Sequence, residues 1–184
     1  MKKIVLTFGL ISGAIMSAMM LATLQFQDAN HGYVVGYTSM VLAFLLIFFG
    51  VRSYRDNIAG GTVGFGRALA VGTLIAVVAS LCYVATWELI YYKLEPDFIA
   101  KYQAYELAKV REAGQNAEAI ARKKADLDKF SELYKNPAIN AAITFLEPLP
   151  VALVVVLVSA GVLSRRKKGR AGEDGMIADA RATT

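Results

Sequence analysis

Two carboxylates stand where charge is costly. Glu88 is the single charged residue of the apolar run 68–92, and Glu147 that of the run 137–163. A carboxylate at the centre of a bilayer costs about 2.5–3.5 kcal/mol on insertion scales unless it is paired, protonated or wet. Around Glu147 the spacing gathers further polar groups. Asn136, Asn140, Thr144 and Glu147 share one helix face at about 100° per residue. Pro148 and Pro150 lack the backbone N–H groups that would reach the carbonyls of Thr144 and Leu146. Proline also disfavours helical geometry at the residue before it, here Glu147 and Leu149. Loosened carbonyls beside a carboxylate are the chemistry of a cation or proton site. Its candidate members are Glu88, Glu147, Asn140 and Thr144, and two carboxylates brought together there would share a proton.

A structural reading competes with this one. The stretch 149–163 alone spans only about 22 Å, short of the hydrocarbon thickness, so Glu147 could be shallow. Glu88 neighbours Trp87, Tyr91 and Tyr92, an aromatic belt in which a carboxylate can snorkel to the interface. It also lies about 160° around the helix from Gly72, away from a small-residue face.

The remaining residue types exclude most catalytic chemistry. The chain has one cysteine, Cys82, inside an apolar run, and one histidine, His31. No His/Cys metal cluster, Ser-His-Asp arrangement or cofactor motif can be built from them. The expectation is a non-enzyme with no cofactor. The glycine-rich stretch "VRSYRDNIAGGTVGFGRAL" (51–69) resembles a phosphate loop only superficially. It lacks the Gly-Lys-Ser/Thr ending and the preceding strand of a Walker loop, and no βαβ unit surrounds it. It reads instead as a turn between membrane helices. Arg52, Tyr54, Arg55 and Arg67 are candidate headgroup contacts, with Asp56 neutralising one arginine and Phe65 anchoring the next helix.

The elements that must position these groups are set by composition. Of 184 residues, 56% are apolar, too many for an ordinary soluble domain and bunched into four runs. Spans are expected at about 4–26, 33–51, 68–92 and 137–163, each near the ~20 residues a crossing helix needs. The first apolar stretch is longer than the ~7–15 residues of a signal core and lacks a good cleavage pattern, so it reads as an anchored helix. The net charge of +5 tracks the spans rather than a nucleic-acid face. Lys2 and Lys3, then Arg52, Arg55 and Arg67, then the basic run 165–170 all fall on one side of a four-span chain. Short basic loops stay cytoplasmic, which puts both termini inside. The basic run is a stop-transfer flank or a headgroup contact, and the tail to residue 184 lacks any apolar period and reads as disordered.

Segment 93–136 has another character. It is rich in Ala, Glu, Lys and Leu. Gly114-Gln115-Asn116 interrupts it with a helix end and a new cap, and Asn136-Pro137 opens the fourth span. A helical hairpin of about 17 and 20 residues is expected, standing on the outer surface or lying along the headgroups. Phe98, Tyr102 and Tyr105, then Ile120, Leu127, Phe130 and Tyr134, form stripes available to a partner or to each other. Within the spans, Gly9, Gly13 and Ser17, Ala14, Ala18 and Ala22, and Ala68, Gly72, Ala76 and Ser80 recur every four residues. Such rows allow close helix contact, either inside the bundle, the favoured use, or between two copies.

The stretch from "GVRSYRDN" through "GGTVGFGRALAVGTLIAVVASLCYVATWELIYY" resembles the uncharacterised bacterial membrane family known as domain of unknown function 4199. The likeness rests on Tyr54-Arg55-Asp56-Asn57, Gly61, Phe65-Gly66-Arg67-Ala68, and the aromatic end with Tyr83, Trp87 and Tyr91, and extends over most of residues 1–163. It implies a small four-span protein and no particular activity. The combined expectation is an all-α, four-helix transmembrane bundle with an extracytoplasmic hairpin between helices three and four. Its setting would be the bacterial inner membrane. Its partners would be the lipid bilayer and either a second copy or another membrane protein, with no nucleic acid. Its role would be structural or accessory, the alternative being a small cation- or proton-coupled transporter using Glu88 and Glu147.

Overall fold

The computed structural model describes the backbone of residues 1–23 and 29–164 and the side chains of residues 1–22 and 35–164. Its elements are α1 (Lys2–Thr23), α2 (Ala29–Asn57), α3 (Phe65–Leu89), a π-helical turn (Ile90–Leu94), α4 (Phe98–Glu112), α5 (Ala117–Tyr134), α6 (Pro137–Leu146) and α7 (Leu149–Leu163). The described residues are thus all-α. The basic run 165–170, expected as a stop-transfer flank or headgroup contact, lies outside the described residues, as do the tail beyond it and the His31 side chain.

Four stretches are long and apolar enough to cross a bilayer: Lys2–Ala22, Val35–Asn57, Phe65–Leu94 and Pro137–Leu163. Leu10, Leu45, Phe49, Leu81, Leu153 and Val158 are exposed on their outward faces. A water-soluble bundle would carry polar side chains there, whereas a continuous apolar exterior suits lipid. The chain is accordingly a multi-pass membrane protein by construction.

Two boundaries differ from the sequence expectation. Instead of ending at Val51, the second span continues as α2 to Asn57. In its last turns Arg52 and Arg55 both reach Asp56, at 3.6 and 2.7 Å, and the reversal is delegated to Gly60 and Gly61 at φ +66° and +86°. Positive φ is nearly free for glycine and costly for other residues. The second difference concerns the prolines. Glu147 stays helical at φ −57°, ψ −50°, despite preceding Pro148. The fourth span is thus interrupted only at Glu147 and Pro148, both with right-handed helical dihedrals, and the prolines withhold N–H donors there.

Close approach sets the packing. A Cβ added at Gly9 would lie 2.7 Å from Val78, and one at Gly13 would lie 2.5 Å from Cys82. One turn further, the Thr86 hydroxyl donates to Ser17 at 2.7 Å. Residues 9, 13 and 17 thus meet 78, 82 and 86 in step, so α1 and α3 run parallel. The Ser12 hydroxyl donates to the Ala43 carbonyl at 3.0 Å and ties α1 to antiparallel α2. Gly72 admits Ile47 of α2 and Val156 of α7, both within 3.3 Å of a Cβ placed there. Ala68, Ala76 and Ser80 are buried on the same face. The rows through Gly9 and Gly72 are therefore consumed inside the bundle, whereas Ala14, Ala18 and Ala22 face outward. The directions put Lys2, the α2–α3 loop and Leu163 at one end, the terminal end, and α4–α5 at the other, the hairpin end.

The two hairpin helices are antiparallel. Gln103 donates to the Leu127 carbonyl at 3.0 Å, and Lys123 pairs with Glu106 at 2.8 Å. Gly114 closes α4 at φ +67°, and Asn116 caps α5 by accepting from the Ala119 N–H at 2.8 Å. Asn136 caps α6 likewise, from the Ala138 N–H at 3.0 Å. The α1–α3 contact gives a direct test. Gly13→Leu should lower stability by about 1–3 kcal/mol, the usual cost of overpacking, while Ala14→Leu on the outward row should change it little. Thermal unfolding of both variants in the same detergent would measure the contrast.

Candidate functional site

The polar chemistry gathers at the hairpin end, where α3, α5 and α6 meet. Ser80, Tyr83 and Trp87 project from one side of α3 at i, i+3 and i+7. Asn140, Thr144 and Glu147 project from α6 with the complementary spacing. The helices are antiparallel, so the two stripes face one another as a seam. The Trp87 indole N–H lies 2.8 Å from the Tyr134 hydroxyl and 3.1 Å from Asn140 Oδ1. The Thr144 hydroxyl donates to the same Oδ1 at 3.4 Å. Further along, the Tyr83 hydroxyl donates to Glu147 Oε2 at 3.0 Å. Indole can only donate, which fixes the Asn140 amide with its oxygen toward Trp87. Asn140 Nδ2 is left buried without a hydrogen-bonding partner, and so is Ser80 Oγ.

Aromatic rings extend the seam into the hairpin. Trp87 meets Phe98 edge-on at 4.8 Å between centroids, and Tyr91 meets Tyr134 at 5.4 Å. Phe98, Tyr102, Phe130 and Tyr134 continue the contact between α4 and α5. The π-helical turn makes this possible. Its wider winding carries Tyr91 toward the hairpin just as α3 leaves the bundle. Burial pushes the Tyr134 phenol up from its ordinary value, an effect that its hydrogen bonds to Thr144 and Trp87 partly offset.

Each candidate from the sequence can now be placed. Asn140 is fully buried and Thr144 nearly so. Glu147 is exposed on the bundle's outer side, with one carboxylate oxygen accepting from Tyr83. Its hydrogen-bonding partner is therefore a tyrosine and not Glu88. Glu88 is half-buried near the π-helical turn, with Oε1 enclosed and without a hydrogen-bonding partner. At the terminal end, Arg52 and Arg67 are exposed, and Arg55 is half-buried against Asp56. Tyr54 is only 6% exposed and belongs to the apolar core, so it packs against protein rather than reaching outward. The extension of α2 past Val51 turns it inward.

Sequence reasoning missed the roles of Ser80, Tyr83, Trp87 and Tyr134 in the seam. Spacing by fours places Ser80 in a small-residue row, and composition places the aromatics in an interfacial belt. The signal was available in the i, i+3, i+7 spacing of Ser80, Tyr83 and Trp87, which mirrors that of Asn140, Thr144 and Glu147.

Tyr134 separates hydrogen bonding from ring packing. Tyr134→Phe should loosen the hairpin by about 0.5–1.5 kcal/mol, the net worth of a hydrogen bond. Tyr134→Ala should cost more, about 3–5 kcal/mol by analogy with other aromatic truncations. Limited trypsin digestion at the exposed lysines of α5 should quicken in that order.

The family model described as "Protein of unknown function (DUF4199)" matches residues 7–165, which take in most of the first span and all of the other three. Neither a curated protein nor a solved structure gives a match. The resemblance first carried by the Tyr-Arg-Asp loop and the aromatic end of the third span is thereby established: this chain belongs to the DUF4199 family.

Proposed function

We propose that the protein is a structural or accessory component of the bacterial inner membrane, with both termini in the cytoplasm and the α4–α5 hairpin on the outer face. The observation that carries this reading is the way the hairpin is fastened. Trp87 bridges α5 and α6 by hydrogen bonds, and the aromatic rings of α4 and α5 close over it. Of the two uses expected for the aromatic stripes, a partner or each other, the rings of Phe98, Tyr102, Phe130 and Tyr134 serve the second. What the hairpin offers outward is a mixed-charge surface with Leu133 54% exposed near Gln103, Asp128 and Lys129. A fixed platform on a membrane anchor suits assembly with a second copy or with another membrane protein. The inward placement of the termini rests on the positive residues, Lys2, Lys3, Arg52, Arg55 and Arg67, at the terminal end.

A transport role for Glu88 and Glu147 draws less support. The terminal half of the bundle is filled by Ile47, Val51, Val71, Ile75, Val156 and Ala160, all buried and apolar. An ion leaving the polar seam would have to displace close-packed side chains to cross that layer. The absence of enzymatic chemistry is likewise part of the proposal, since Trp87, Tyr134 and Tyr83 are engaged with Asn140 and Glu147 in joining the helices.

Placement and partner are both measurable. With Cys82→Ala as background, Leu133→Cys should react with a membrane-impermeant maleimide added to the periplasmic side. A short bis-maleimide should then give a discrete adduct in native membranes. Labelling only after the cytoplasmic side is opened would overturn the orientation, and monomer alone would overturn the assembly role.

A further inference from the structure

Ser80 is fully buried, and its hydroxyl has no hydrogen-bonding partner. Its surroundings are set by the register of α3 against the fourth span. Trp87 meets Asn140 at one level, and Gly72 meets Val156 at another. Ser80 is seven residues before Trp87, and Glu147 is seven residues after Asn140. The Ser80 hydroxyl is therefore level with the joint between α6 and α7, at Glu147 and Pro148. Pro148 is itself fully buried there.

That joint is rich in oxygen and poor in donors. Pro148 and Pro150 supply no N–H to the carbonyls of Thr144 and Leu146. The Tyr83 hydroxyl already gives its proton to Glu147 and keeps lone pairs free. A lone water could satisfy Ser80 but would bring no positive charge to an ionised Glu147 beside it. An anion is repelled by the same carboxylate. We propose that the α6–α7 joint binds one small monovalent cation of the sodium class, held by the Glu147 carboxylate, the Ser80 and Tyr83 hydroxyls and the Thr144 carbonyl.

The ligand set argues for this class. All the atoms are hard oxygens, which select alkali and alkaline-earth ions over softer metals. One carboxylate balances one positive charge, whereas a divalent ion would leave a net charge in a medium of low dielectric. Helix interruptions in membrane proteins place carbonyl oxygens on such ions in the same manner. The bound cation would hold α6 to α3 at the level where the seam passes into the apolar core. This site is separate from the outward platform of the hairpin, and either can fail without the other.

The test uses full-length protein in lipid nanodiscs, with NaCl replacing N-methyl-D-glucamine chloride at constant ionic strength. Trp87 is the only tryptophan in the chain and lies on the same seam, so its emission is a built-in reporter. Sodium should shift that emission saturably and raise the unfolding temperature, and radioactive sodium should bind at one ion per chain. Ser80→Ala should weaken binding by about tenfold or more, the scale on which supporting groups tune metal affinity. Glu147→Gln should abolish it, while lipid-facing Leu153→Ala should leave it unchanged. If Glu147→Gln does not fold, the comparison of Ser80→Ala with Leu153→Ala decides. Absence of saturable sodium binding to the wild type, or binding that Ser80→Ala leaves intact, would overturn the proposal.

Discussion

A polar group inside hydrocarbon has no water to fall back on, so its partners must come from the protein. In this chain that constraint gathers at one residue. The Trp87 indole N–H faces both the Tyr134 hydroxyl and the Asn140 amide oxygen. Through Asn140 it is linked to Thr144, and the neighbouring Tyr83 extends the same line to Glu147. The third span is thus joined to the consecutive helices α5 and α6, distant from it in sequence, by groups that would be costly to leave apart. The aromatic contacts around Trp87 add area and shape, but the hydrogen bonds fix which face of α6 meets α3.

The rest of the bundle depends on close backbone approach rather than on polarity. Lipid tails offer leucine side chains as good an environment as a helix does, so burial alone drives little association. Gly9 and Gly13 remove that difficulty by admitting neighbours that would clash with a Cβ, and Gly72 by letting Ile47 and Val156 come as close as they do. The molecule therefore has two zones held by different physics. The terminal half is tight, apolar and side-chain filled, while the hairpin end is joined by hydrogen bonds and rings. In the proposed role the first zone is the membrane anchor and the second is the seat of the platform.

Much of this was legible from residue order because its causes are local. Gly114 and Asn116 mark the hairpin tip, Asn136 and Pro137 mark the start of the fourth span, and each acts through its own backbone. The four spans are legible as runs of apolar residues, and the packing use of the Gly9 and Gly72 rows from their spacing. The illegible part depends on rotation of one helix against another. Tyr54 looks interfacial if Val51 ends its helix, yet the six further residues of α2 turn it into the core. Glu147 looks ready to meet Glu88 because both lie in the hairpin half, yet Tyr83 occupies the position facing it. The proline effect is half legible. The donors are missing as expected, but the Glu147 backbone keeps helical dihedrals although it precedes a proline.

The joints of the hairpin differ in what they can absorb. On one side it leaves α3 through the wide turn at Ile90–Leu94, and on the other it returns through Lys135 and Asn136 alone. An added residue at either joint would rotate the adjoining helix by about 100° and carry Tyr91 or Tyr134 out of reach of its ring partner. The tip at Gly114 bears no such load, since no atoms lie within 4 Å of a Cβ built there. Change in length should therefore accumulate at the tip among relatives of this protein, with the two roots held constant, so that the reach of the platform can drift while its footing on the membrane does not.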